Sequence, residues 1–192
     1  FAWADVEFFV LDNRYHRSPT TAPRTEAKTQ LGEAQRQWLI DALTSSYAPF
    51  KVVVLGGQFV NGVDLYEGYA RYPNEQQRIL DALVERGIDG VVFLTGDRHH
   101  TELLRLDVDG FYPLYDFTNS PLTSGAASAE RERVNVLRVP GTLVVEQRNF
   151  GTLTFSGPRT DRVLTMRTYA ADGTLLWEHA VRASELRAPE RG

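Results

Sequence analysis

Cysteine is absent from all 192 residues, which removes both a disulfide framework and any thiolate metal site. A metal held by this chain must therefore be met by carboxylate oxygens and imidazole nitrogens. Histidine is scarce as well, with four in the chain, and two of those, His99 and His100, stand side by side. No apolar run approaches the ~20 residues of a membrane-spanning helix, and no signal-peptide pattern opens the chain. Basic residues are not in excess. The net charge of -4 argues against a dedicated nucleic-acid binder and leaves nucleic acid a place only as a substrate. An initiating methionine is also missing: "FAWADVEFFVLDNR" enters a strand within a few residues, so the chain reads as beginning in the middle of a longer or processed protein. What is present, 42% hydrophobic and 24% charged residues, is the composition of one soluble globular domain with a core.

The patterning divides the chain into two halves. Val6 to Leu11 is an almost wholly apolar run, as in a strand covered on both faces. A polar, proline-bearing loop (Ser18 to Thr29) separates it from "LGEAQRQWLIDALTSS". There Leu31, Ala34, Trp38, Leu39, Ala42 and Leu43 recur at helical spacing, with Gly32 as N-cap and Gln35 placed to complete a capping box. Val52 to Leu55 is a second buried strand. Pro73 opens a second helix with Ile79, Leu80, Leu83 and Val84 on one face and Gly87 as its stop. Val91 to Leu94 is the third strand. Two such β-α-β units imply parallel strands with right-handed crossovers. After His100, "TELLRLDVDGFYPLYDF" reads as two strands joined by a turn at Asp107 to Gly110. Thr118 to Gly141 has no regular period and exceeds ordinary loop length. "TLVVEQ", "GTLTFSG" and "RVLTMRTYAADGTLLWEHAV" read as an antiparallel meander with a hairpin at Asp172-Gly173. Trp38 and Trp177 fall on apolar faces and are assigned to the core.

Chemistry concentrates in "FLTGDRHHTEL", Phe93 to Leu103. An open α/β sheet binds ligands beyond the carboxyl ends of its strands, and Asp97 and His99 follow the third strand directly. Two residues apart in an extended segment, their side chains leave on one side, and a carboxylate with a neutral imidazole suits iron, zinc or manganese. The plainer reading makes Asp97 a turn cap and the histidines exposed loop residues.

These residues resemble a family. "FLTGDRHHTEL", preceded by "YEGYARYPNEQQRILDAL" and followed by "YDFTNSPLTSG", is similar to the back half of PhoD-like alkaline phosphatases within the calcineurin-like metallophosphoesterase superfamily. "FFVLDNRYHR" with "LGEAQRQWLIDAL", and later "NFGTLTFSGPRTDRVLTMRTYAADG", resemble the same family in the same order, from about Ala2 to Val181. The resemblance implies an α/β fold, a two-sheet sandwich flanked by helices, with residues 1–182 as the C-terminal part of one domain and 183–192 as a charged tail. It implies metal-dependent hydrolysis of phosphate monoesters or diesters at a multinuclear centre, iron plus calcium with other divalent ions admissible, and it favours export to the periplasm or the medium. Asp97 and His99 correspond to the metal ligands of the family's terminal G-D-x-H motif. His100 has no ligand role in that pattern and stands behind the ligands or at the substrate. The aspartate-rich front half of the family is not found here: there is no second Gly-Asp step and no Asp-Asp pair. The chain is thus expected to supply part of a site, to need the N-terminal half as partner, and to be inactive or nearly so alone.

Other residues enter as candidates. Arg14 is assigned to phosphate binding and catalysis, against an ion pair with Asp12 or another carboxylate. Gln58, in "LGGQFV", is the nearby side chain that could present an oxygen, and with Tyr69 it is assigned to substrate binding. Tyr66, Tyr69 and Tyr72 either wall the pocket or pack on the sheet. His100 is the catalytic candidate beside Arg14. Ser120, Thr123 and Ser124 are read as turn chemistry. Two other classes remain: a metal-free binding or structural domain on the same sandwich, and a hydrolase using His99 or His100 as general base.

Overall fold

The computed structural model describes residues 1–189. Its first sheet is built from β1 (Ala2–Trp3), β2 (Val6–Val10), β3 (Phe50–Val54), β4 (Val91–Thr95), β5 (Glu102–Leu106) and β6 (Leu114–Thr118), in the order β1-β2-β3-β4-β6-β5. β2, β3, β4 and β6 are parallel, and the edge strands β1 and β5 run antiparallel to them. α1 (Glu33–Ser45) joins β2 to β3 and α2 (Pro73–Glu85) joins β3 to β4. Right-handed crossovers between strands added in one direction put both helices on the same face. The other face is covered by a three-stranded antiparallel sheet of β7 (Asn149–Ser156), β8 (Val163–Ala170) and β9 (Leu175–Arg182). Ring contacts mark the seam between the sheets: Phe50 with Phe155 at 5.6 Å and Phe117 with Trp177 at 5.3 Å. Buried side chains from both sheets and both helices form one continuous core. This is the α/β two-sheet sandwich with flanking helices that the sequence predicts.

Several local expectations are corrected. Gln35 completes no capping box. Its Nε2 donates to the carbonyls of Asp12 and Leu31, and its Oε1 accepts the Asp12 N–H at 2.8 Å, so it ties α1 to the end of β2 instead. Trp38 is 51% exposed. The buried stripe of α1 is Leu39, Ile40 and Leu43, and on the Trp38 side the sheet ends in the short β1, with the tilted Phe9 ring 6.4 Å from the indole. For the same reason Val10 is exposed and β2 is not covered throughout. "TLVVEQ" forms no strand, only a bridge from Val144 to Thr101. The hairpin at Asp172-Gly173 forms as read, with the Gly173 N–H donating to the Ala170 carbonyl. After β9, Ala183–Leu186 make a 3-10 turn whose Ala183 and Leu186 are buried. The predicted tail over 183–192 is therefore packed against the start of β4 in its first part; residues 190–192 lie outside the described residues. No helix among the described residues is long and apolar enough to cross a membrane.

The approach to β4 turns on Gly90. Its φ is +71°, a region costly for any residue with a Cβ, and a Cβ there would lie 2.3 Å from the Pro49 carbonyl oxygen. Its own N–H and C=O bond to Leu186 and Lys51, so the backbone has no room to shift. Gly90→Ala is expected to cost about 2–4 kcal/mol of unfolding free energy, read as a lower urea midpoint at constant slope; an unchanged midpoint would refute the account.

Candidate metal centre at the carboxyl ends of the strands

β4 ends at Thr95, and the chain then makes a tight turn through Gly96 to His100. Asp97 and His99 both have positive φ, +67° and +57°, the left-handed region that non-glycine residues rarely adopt. The backbone is thus not extended as the sequence suggests, yet the alternation survives: Asp97 and His99 are exposed while Arg98 and His100 are buried. Neighbouring chain holds the turn. The His99 N–H donates to Ser120 Oγ at 2.8 Å, and the Ala127 N–H donates to the His99 carbonyl at 2.7 Å. Ser120 is thereby a backbone anchor, which fits the reading of its loop as turn chemistry.

Asp97 and His99 open onto a cleft of about 690 Å³ whose walls include Tyr66, Glu67 and Arg71. Among the described residues the His99 ring meets no hydrogen-bond partner, and the Asp97 carboxylate pairs with Arg14, whose Nη2 is 3.9 Å from Oδ1, and lies within electrostatic reach of Arg17. Arg14, the phosphate-binding candidate of the sequence, lies beside Asp97 and Glu67. It does not pair with Asp12, whose carboxylate accepts the N–H groups of Arg14 and Tyr15; it pairs with Glu67, which also holds Arg17 at 2.7 Å. The Arg17 guanidinium, with Arg14 behind it, keeps the Glu67 carboxyl below its usual range against the opposing effect of burial. Of the three tyrosines, Tyr66 walls the cleft while Tyr69 and Tyr72 pack inside.

Three other candidates do not reach the cleft. His100 is buried, with Nδ1 3.0 Å from the Arg98 carbonyl and Nε2 3.2 Å from Glu102 Oε1, because the turn sends alternate residues inward. Gln58 is fully buried: its Nε2 donates to Glu102 and Thr118, and its Oε1 accepts from Asn61, leaving no group to offer a substrate. Asp116 draws that loop inward by accepting the N–H groups of Phe59 and Val60. Tyr69 lies 4.8 Å from the Phe59 ring. Burial, then the nearby Glu75 charge, push its hydroxyl pKa well up.

Beneath the turn lies a charged layer that sequence reading misses. By distance alone His100, Glu102 and Glu132 could hold an ion, their ligand atoms lying within 4.8 Å of one another. Their electrostatics do not call for one. Glu102 accepts from Arg138 Nε at 2.6 Å, and Glu132 pairs with Arg98, so each carboxylate already has its own guanidinium. Burial pushes the Glu102 pKa up, but His100, Gln58 and Arg138 outweigh it and leave the net shift downward. A dication placed there would meet two arginines. On the cleft itself, the oxygen and nitrogen groups with the fewest partners are the Asp97 carboxylate, which meets Arg14 at 3.9 Å, and the His99 ring. A signal for the hidden layer exists in the sequence: Glu102 and Asp116 are lone carboxylates inside apolar strand runs, and a buried charge demands partners.

Residues 1–161 match the family model of the PhoD-like phosphatases. The chain belongs to that family. Alkaline phosphatase D of Bacillus subtilis (strain 168) is 26% identical over 149 residues, covering 66% of this chain and 26% of that protein. A solved structure of PhoD superposes with a TM-score of 0.70 at 22% identity, over 93% of this chain and 42% of that one, a likeness of fold. The PhoD-like chain described here thus spans about a quarter of its curated relative.

Asp116 links the layer to pH. Burial pushes its carboxyl from 3.8 to about 6, and the hydrogen bonds from Thr95, Val60 and Phe59 offset this only in part. A raised folded-state pKa contributes stability that is complete below the unfolded value and is lost as pH rises through the folded one, here between 3.8 and about 6. Asp116→Asn stays neutral throughout. Its stability relative to the parent chain is therefore expected to rise by on the order of 3 kcal/mol from about pH 4 to about pH 7, measured by urea unfolding; a pH-independent difference would dismiss the linkage.

Proposed function

We propose that this chain is the C-terminal part of one metallophosphoesterase-like domain and supplies one wall of a site for metal-dependent hydrolysis of phosphate monoesters or diesters. One observation carries the reading: a carboxylate and an imidazole, Asp97 and His99, stand on a cleft at the carboxyl end of a parallel strand, the carboxylate half-exposed and held only by an Arg14 ion pair as long as 3.9 Å. Both are held in the left-handed backbone region, which non-glycine residues adopt uncommonly. Membership of the PhoD-like family supports the same chemistry.

In this reading Asp97 and His99 are metal ligands, and iron plus calcium is the proposed content, with other divalent ions admissible at oxygen and imidazole donors. Such a centre, when bound, lowers the pKa of an attacking water and neutralises the phosphate and the leaving oxygen. Arg14, beside Asp97, presents a planar guanidinium suited to two phosphate oxygens. Tyr66 and Arg71 bound the space for the rest of the substrate. Two side chains do not complete a coordination shell, and the other carboxylate of the cleft, Glu67, is committed to Arg14 and Arg17. The remaining ligands come from an N-terminal half, on the same or a separate chain, and this polypeptide by itself is inactive or nearly so. That commitment of Glu67 is also what favours the second reading, a binding domain of the same fold without catalysis.

Hydrolysis of an aryl phosphate and a bis-aryl phosphate, with elemental analysis, separates the two. The chain alone is expected near background. In the protein completed by its N-terminal half, Asp97→Asn and His99→Ala should each lower kcat/KM by at least about a hundredfold, beyond what changes behind the ligands usually cost, and chelation should abolish activity. Full activity in both variants would end the metal reading; a complete protein without metal or turnover would establish the second.

A further inference from the structure

Arg98 sits between the two proposed ligands in sequence and directly beneath them in space. Its side chain is 3% exposed and is paired with Glu132, 4% exposed, from the 3-10 turn Glu130–Glu132. Its Nη1 donates to the Leu65 carbonyl at 3.3 Å, and its guanidinium lies 4.7 Å from the centre of the Tyr66 ring. One guanidinium, carried by the turn, therefore touches both the segment that holds Tyr66 and the segment that holds Glu132. Arg98 thus joins the Tyr66 wall of the cleft to its Asp97–His99 turn and to a buried segment beneath.

We propose that Arg98 is a positioning residue: paired with Glu132, it clamps the Asp97–His99 turn in its left-handed form and locks the Tyr66 wall against it. The inference deepens the phosphoester reading and rests on it for what the turn holds, while the clamp itself does not depend on it. The physical case is one of leverage. Asp97 and His99 each hold an unfavourable φ, and such backbone persists only where surroundings over-determine it. The hydrogen bonds from the His99 and Ala127 amides fix the turn from one side. The Arg98–Glu132 pair fixes it from below, in a layer shielded from water, where screening is weak. The other oxygen of Glu132 lies 3.4 Å from Asn61 Nδ2 and 3.6 Å from His100 Nε2, which leaves Arg98 as its one guanidinium partner. Groups that orient metal ligands from behind typically carry a tenfold to hundredfold share of affinity.

Removing one partner of a buried pair strands a charge, whereas removing both together is often close to neutral for stability. The decisive variant is therefore the double Arg98→Met/Glu132→Gln, with Arg98→Lys as the conservative control. Amide hydrogen exchange of the intact chain is the first readout. In the double variant the His99 and Ala127 amides should exchange at least about tenfold faster while Val53 and Val92 in the central strands stay within about twofold. Arg98→Lys, which keeps the charge but not the planar fork, should fall between. Protection unchanged at both turn amides, or lost equally in the strands, would overturn the clamp. The second readout is Mn²⁺ added to the chain and followed by paramagnetic broadening of His99 signals. The double variant should need about tenfold more ion for equal broadening, and equal affinity would again overturn the proposal. If Mn²⁺ broadens nothing in the parent chain, its incomplete ligand set accounts for that, the metal reading is judged on the protein completed by its N-terminal half, and the exchange result alone decides the clamp.

Discussion

Charges taken out of water must be matched, and that constraint organises everything beneath the cleft. Glu102 and Glu132 are buried carboxylates, and each is answered by an arginine, Arg138 and Arg98. Leaving either alone would cost several kcal/mol, so the matching fixes which loops lie beside which strands. Glu102 belongs to the edge strand β5, Arg138 to the long irregular stretch after β6, and Arg98 to the turn after β4. The polar layer thus does for the loops what apolar packing does for the sheets: it admits one arrangement. Gln58 and Asn61 extend it, each polar atom finding a named partner, as buried polar groups must.

The parallel sheet supplies the frame on which that layer rests. β4 and β6 lie side by side and in register, Thr95 opposite Thr118, and both end at the same level. Thr95 Oγ1 donates to Asp116, which also accepts the Phe59 and Val60 amides from the loop after β3. The carboxyl ends of three strands are thereby tied at one level before the cleft begins. Asp97 and His99 inherit their position from this arrangement, and their turn is short enough that little of it is lost.

Much of this could be read from residue order, and the part that could not has a common cause. The β-α-β-α-β front half follows from periodicity and from Pro73 and Gly87, and the last hairpin from Asp172-Gly173. That Asp97 and His99 would share a face follows from their spacing, although the backbone that achieves it is left-handed. By contrast, the inward direction of His100 depends on Glu102 and Glu132, the second of them 32 positions away and inside a stretch with no period of its own. Gln58 is unavailable to a ligand because Asp116, on another strand, captures the amides that follow it. Trp38 is exposed because of what the sheet lacks at its β1 edge, something no helical pattern records. Local signals found the elements and the open pair of side chains. The partners that hold them lie far along the chain.

Glu67 gives the rim of the cleft a character of its own. By holding both Arg14 and Arg17, it acts as a resident counter-anion at the place where a negatively charged visitor would dock. An arriving anion there does not fill a vacant cationic hollow; it trades places with a carboxylate already seated. Docking of an anion at that rim would then be a swap of one ionic partner for another, with Glu67 turned out towards solvent.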